Sequence, residues 1–120
     1  VNLDVEGVTR VNSIGIRNWI IWINKNAKGK QLHFHKCPKA MVDQINVVHS
    51  FLPPGSLIES FRVPYACASC DLDIGCFFER GLHFNDGAVT KVPDMKCPTC
   101  GKTAEMDADG RYFGFLKSHS

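Results

Sequence analysis

Four cysteines stand in two C-x-x-C pairs, Cys67-Ala68-Ser69-Cys70 and Cys97-Pro98-Thr99-Cys100. Each pair can turn two sulfurs onto one ion, because the backbone N–H groups of so tight a turn point back at the thiolates and stabilise their charge. The second pair carries the stronger signal: Pro98 pre-sets the turn, and Gly101 can take the positive φ that often follows the second ligand. Twenty-six residues separate Cys70 from Cys97, more than the commonest spacing, and a long hairpin absorbs them. Four thiolates complete a tetrahedral shell and leave no position for water, so the pattern points to structural rather than catalytic zinc. The competing chemistries are a disulfide pair, a redox C-x-x-C and iron. A redox motif sits at the start of a helix after a strand, and neither pair here precedes a helical pattern. Sulfur ligands alone do not separate zinc from iron. Metal-ligand spacing, in place of a disulfide framework, points to a reducing cytoplasm.

The other chemistry-bearing residues give weaker signals. Cys76, beside Phe77 and Phe78, reads as a small buried hydrophobe. Cys37 precedes a helix, which can lower a thiol pKa, but packing is the simpler role. His33 and His35 alternate with Leu32 and Phe34 and line one face of a strand. As a metal pair they need a carboxylate that the sequence does not identify. His49, His83 and His119 carry no usable pattern. No Ser/His/Asp grouping, glycine-rich phosphate loop or carboxylate pair stands out, so no enzyme is expected.

The elements that must position these residues fall into two stretches, divided near Pro53-Pro54-Gly55. The chain has 120 residues, 44% of them hydrophobic and 22% charged, as in a globular protein. Residues 1–64 hold eight Lys/Arg and four Asp/Glu; residues 65–120 hold six and eight. Four zinc-bound thiolates add about −2 more to the second stretch. Neither stretch has the dense basic stripe of a nucleic-acid binder. The longest apolar run, Ile20-Ile21-Trp22-Ile23, is too short to span a membrane.

Residues 1–55 read as an α/β domain. Val1–Val8 alternates as a strand. Asn12 or Ser13 is a good N-cap for a helix from Ser13 to Asn26, with Ile16, Ile20 and Ile23 on one face. Trp19, Ile21 and Trp22 broaden that face, so the helix is expected to be buried on more than one side. Gly29 can take the left-handed cap conformation at its end. Gln31–His35 reads as a second strand and Pro38–Phe51 as a second helix, with Met41, Ile45 and Val48 on one stripe. Strand, helix and strand favour parallel pairing. Two strands cannot shield two apolar helices, so more sheet is expected from a segment before Val1, from the second stretch or from another chain, a homodimer included.

Residues 56–120 read as a small all-β zinc ribbon, with strands at Leu57–Pro64, Ile74–Glu79, Gly87–Val92 and Tyr112–Leu116. Asp86-Gly87 signals a hairpin tip, and Asp107-Ala108-Asp109-Gly110 another turn.

The segment Leu3-Asp4-Val5-Glu6-Gly7-Val8-Thr9-Arg10-Val11-Asn12-Ser13-Ile14-Gly15-Ile16 resembles the core of the STAS family, the fold of bacterial anti-sigma-factor antagonists. That family reads "hydrophobic-Asp-hydrophobic-Ser-Gly-Val", then "Asp-Ser-Ser-Gly-hydrophobic", then a helix. The resemblance covers about residues 1–52, including the next strand and helix, and places two family strands before Val1. It implies a STAS-like βαβα fold, incomplete at its N-terminus, that docks a partner protein such as an anti-sigma factor or its kinase. Ser13 matches the position that accepts phosphate in phosphorylated members, where a helix N-terminus favours the anion. Asn12 replaces the family's Asp, and Ile14 its second Ser; otherwise Ser13 is simply a cap. The residues placed for docking are Asn12, Ile14, Gly15, Asn18 and Trp19. The leading expectation is therefore a non-enzymatic, cytoplasmic signalling or interaction module with a structural zinc. The alternative is a nucleic-acid-binding ribbon using Phe77, Phe78, Phe84 and Arg80, against which the acidic balance of residues 65–120 argues.

Overall fold

The computed structural model describes residues 2–7, 13–26, 30–48, 51–53 and 55–119. Arg10–Asn12, Gly29 and His49 lie outside them, and Ser13 is described by its backbone alone.

The first half is a parallel sheet with two helices. Strands β1 (Asn2–Asp4) and β2 (His33–His35) pair in parallel, Leu3 opposite Phe34, and helix α1 (Ser13–Asn26) connects them. The helix has the bounds its periodicity predicts. Ile23 is buried and Ile16 and Trp19 pack on the core, as an i, i+3, i+7 stripe should. The expectation that α1 is buried on more than one side fails. Ile14, Ile21 and Trp22 are 73%, 61% and 52% exposed. Trp19 draws the helix onto one side: its Nε1 donates to Phe51 O (2.7 Å), and its ring stacks on Phe51 at 5.7 Å.

Helix α2 (Lys39–Val47) buries Met41, Val42 and Ile45. Pro38 is its N-cap in extended conformation, and its carbonyl accepts from Met41 N and Val42 N. The helix ends before Phe51 because Val48 is extended (φ −107°, ψ 103°). Phe51 and Leu52 are buried outside any helix, where they cover Trp19 and the core.

The extra sheet comes from the second half. The expected strand Leu57–Pro64 is two strands, β3 (Leu57–Ile58) and β4 (Ser60–Cys67). β3 adds in parallel to β2, giving the order β1-β2-β3. Glu59 is the seam. Its N–H donates to Phe34 O in the parallel sheet (2.8 Å), and its carbonyl accepts from Arg80 N beside the antiparallel one (2.9 Å).

β4 is central in the second sheet, whose order is β5-β4-β9-β8, with β5 at Leu72–Glu79, β8 at Met95–Lys96 and β9 at Thr103–Met106. Between β5 and β8 lies a small hairpin of β6 (Phe84–Asn85) and β7 (Ala88–Val89). Asp86 (φ 49°) and Gly87 (φ 83°) form its two-residue tip, the geometry that an Asp-Gly pair favours.

The expected strand Tyr112–Leu116 does not form. Residues 110–115 turn and end in helix α3 (Leu116–His119), with Gly114 N donating to Arg111 O and Leu116 N to Phe113 O. The aromatic residues Tyr112, Phe113 and Phe115 answer here to core shape rather than to a strand neighbour. Phe115 meets Phe61 edge-on at 5.0 Å, and Phe113 stacks on Phe78 at 6.1 Å. Asn46 of α2 ties this segment down, its Nδ2 donating to Tyr112 O (3.0 Å) and its Oδ1 accepting from Phe115 N (2.9 Å). One connected core runs from Val5 and Ile23 through Phe34, Ile58 and Phe61 to Phe84 and Leu116. Among the described residues, no helix is long and apolar enough to cross a membrane.

Candidate metal centre

The two cysteine turns close the far ends of two hairpins. β4 runs into Cys67, which pairs with Leu72 at the start of β5. β8 leads into Cys97, whose N–H donates to Lys102 O (2.8 Å) just before β9. β4 and β9 pair through Tyr65–Met106 and Ala66–Glu105, and this fixes the two turns side by side. Gly101 takes φ 73°, as expected, and its N–H closes the turn on Cys97 O (2.9 Å). Asp71, one residue past Cys70, takes φ 51° at the matching position of the first turn. Asp tolerates the left-handed region better than most residues, so this equivalence was readable from the sequence.

The four sulfurs of Cys67, Cys70, Cys97 and Cys100 lie within 4.8 Å of one another. Sulfurs about 2.3 Å from a tetrahedral ion stand about 3.8 Å apart, and Cys67 Sγ lies 3.5 Å from Cys100 Sγ. The arrangement can hold one metal ion. Cys67 and Cys97 are buried and Cys100 is exposed, so one side of the site faces solvent.

The sulfurs do not share charge evenly. Backbone N–H groups of Cys100 and Thr99 point at Cys97 and pull its thiol down to about 6. Cys70, sharing a proton with Cys100, is pushed up to about 12. Without a cation, four sulfurs this close cannot all ionise, because each thiolate penalises the next. A divalent ion removes that penalty.

The remaining candidates are drawn into structural roles. His33 Nδ1 lies 2.7 Å from Glu59 Oε1, and Arg80 Nε donates to Glu59 Oε2 (3.0 Å) while its Nη2 bonds Oε1. Partial burial raises the Glu59 carboxyl pKa, but the hydrogen bonds from His33 and Arg80 outweigh it and hold the carboxyl below its ordinary value. His35 turns instead to Asn2 Oδ1 (2.9 Å). Glu59 is thus the carboxylate that sequence could not locate, but it serves an ion pair; among the described residues the four cysteines are the only close ligand cluster. Cys37 is fully buried and its thiol is pushed up to about 12 by desolvation. Cys76 is half-buried against the core. His119 is buried with Nδ1 2.9 Å from Ser56 O, and His83 stacks on Phe78.

Of the residues expected for nucleic-acid binding, three are committed elsewhere, while Phe77 is half-buried on β5. Phe78 and Phe84 are fully buried, and Arg80 is held by Glu59. Around the helix start, Ile14, Gly15 and Asn18 are exposed, while Trp19 is turned inward.

Comparison with protein-family models, with curated proteins and with solved structures gives no match to the chain.

Proposed function

We propose that this chain is a non-enzymatic interaction module whose STAS-like first half docks a partner protein along α1, and whose second half is a ribbon stapled by structural zinc. The observation that carries the docking is the exposed stripe Ile14, Ile21 and Trp22. Burying a large apolar side chain stabilises by about 1.5–3 kcal/mol, and this helix leaves three of them in water within three turns. The stripe begins one residue after Ser13, the first residue of α1. A phosphate on Ser13 at the helix N-terminus would put negative charge beside the docking face and change what binds there. The four-thiolate donor set favours zinc and a reducing cytoplasm. The absence of an enzyme is supported by the fate of the reactive groups: Glu59 and His33 pair with each other, and Cys37 is sealed in the core.

The test is capture of a protein partner by the full chain, followed by comparison with Ile14→Ser/Trp22→Ala and with Ser13→Glu. Ile14 is exposed and Trp22 packs on Trp19 with ring centroids 5.9 Å apart, so the double variant is first checked for fold by circular dichroism. The folded double variant should lose the partner, and Ser13→Glu should lose it where Ser13→Ala does not. A double variant that captures the same partner as well as the native chain refutes docking on α1.

A further inference from the structure

β5 is the outermost strand of the antiparallel sheet and is eight residues long. Antiparallel ladders alternate, so one hydrogen bond fixes which backbone groups face the free edge. Arg80 N donates to Glu59 O. Counting back by twos, Phe78, Cys76 and Ile74 turn their N–H and C=O groups toward β4, opposite Phe61, Val63 and Tyr65. Asp73, Gly75 and Phe77 turn theirs outward. Glu79, in phase with them, bonds His83 on that outer side through both its N–H and its carbonyl.

Free edges are usually guarded by a charge, a proline or a bulge. The middle of β5, Ile74-Gly75-Cys76-Phe77-Phe78, carries no charge and no proline. Gly75 opens a slot instead. A Cβ there would lie 1.8 Å from Arg62 Nε and 2.3 Å from Arg62 Cζ, so the guanidinium rests on the Gly75 backbone. Arg62 stands on β4 opposite Phe77, and its side chain therefore reaches across β5 to the edge. Among the described residues neither Arg62 nor the exposed Asp73 makes an ion pair.

We infer that β5 pairs antiparallel with β5 of a second copy of this chain, centred on Gly75. A two-fold pairing must keep each face on its own side, because a one-residue slip inverts every side chain. Two registers do so and pair seven residues of each eight-residue strand. With Cys76 opposite Cys76, Asp73 faces Glu79 and the like charges repel. With Gly75 opposite Gly75, Asp73 faces Phe77 of the other copy, the like-charged Glu79 moves from directly opposite to one diagonal, and the other diagonal neighbour is Gly75, where the Arg62 guanidinium lies. Diagonal positions are within reach of long side chains, so Arg62 of each copy meets Asp73 of the other, twice across the two-fold. The outward N–H and C=O groups of Asp73, Gly75 and Phe77 all find partners in the same register. Charge complementarity thus selects both the occupant and the register, independently of any docking on α1.

Sedimentation velocity of the full chain, from about 2 to about 200 μM, tests this; an edge pairing is a small interface, so the range extends to high concentration. The native chain should pass from monomer to dimer. Asp73→Arg, an exposed change checked for fold by circular dichroism, should raise the dimer Kd at least about tenfold by setting it against Arg62. Arg62→Glu/Asp73→Arg should bring the Kd back to within about threefold of native. A native chain that stays monomeric at the top concentration overturns the inference, as does a dimer indifferent to Asp73→Arg. Failure of the double variant to bind tighter than Asp73→Arg overturns the Arg62–Asp73 pairing.

Discussion

In the parallel half, the three strands are two or three residues long, and burial is supplied by helices: Ile23 from α1, and Met41, Val42 and Ile45 from α2, close over Phe34 and Ile58. In the antiparallel half, β4 and β5 are eight residues long, yet the sheet beyond Tyr65 has little to bury. Its root is an aromatic cluster, in which Phe61 meets Phe78, Phe84, Tyr112, Phe113 and Phe115 at 5.0–6.4 Å. Its tip is the four-cysteine cluster. A small sheet without core at one end needs a staple there. The difference shows that the two halves are held by different physics, although one core runs through both and Glu59, Cys37 and Asn46 tie them together.

The largest effect should come from removing the metal proposed for the four-cysteine tip. Binding energy at a structural zinc site is largely folding energy, about 10–16 kcal/mol in isolated finger peptides. Chelation, or Cys97→Ser, should therefore open the tip alone. Amide exchange should accelerate strongly in residues 64–76 and 95–106, while residues 33–47 keep their protection. Equal loss in both halves would show that the tip supports the whole chain and that the halves are not held separately.

Phe61→Ala should cost less in total but reach further. Phe61 is fully buried, and removing such a ring costs about 3–5 kcal/mol. Phe61 also lies opposite Cys37 in an isolated parallel bridge, so its cavity opens onto both halves. The urea midpoint should fall, with α2 and β4 amides losing protection together. Loss confined to the antiparallel half would mean that the core seen as continuous is energetically divided.

The two halves also differed in how far sequence could reach. The bounds of α1, Ser13 to Asn26, followed from periodicity, because a helix packing on a core is written every third or fourth residue. The partnership of the four cysteines followed from spacing, because a metal turn is local chemistry. Three features were set by tertiary contacts and were not legible. Trp19 takes Phe51 as its partner across 32 positions, which leaves Ile21 and Trp22 outside although they are as apolar as Ile23. Tyr112–Leu116 alternates no better than many turns, and its fate is decided by Phe61 and Asn46. The split of residues 57–64 into two strands depends on Glu59 serving two sheets at once. β9 is a different kind of miss: Ala104 and Met106 face inward between exposed Thr103 and Glu105, a short alternation that could have been found.

Glu59 offers the finest probe of the joint. Its carboxylate is about one-fifth exposed and carries His33 and Arg80. Ion pairs this accessible to solvent contribute about 1 kcal/mol or less. Because the folded-state pKa lies below the ordinary 4.5, the stabilisation is fully present above that value and is lost as the pH falls through the lower, folded-state pKa. Glu59→Gln keeps the backbone bonds to Phe34 and Arg80 but removes the charge. Its unfolding free energy should trail the native chain by about 1 kcal/mol at pH 7, and the gap should close below the ordinary carboxyl range. A gap that stays constant down to pH 3 would mean that Glu59 joins the halves by shape and hydrogen bonding, with its charge contributing nothing.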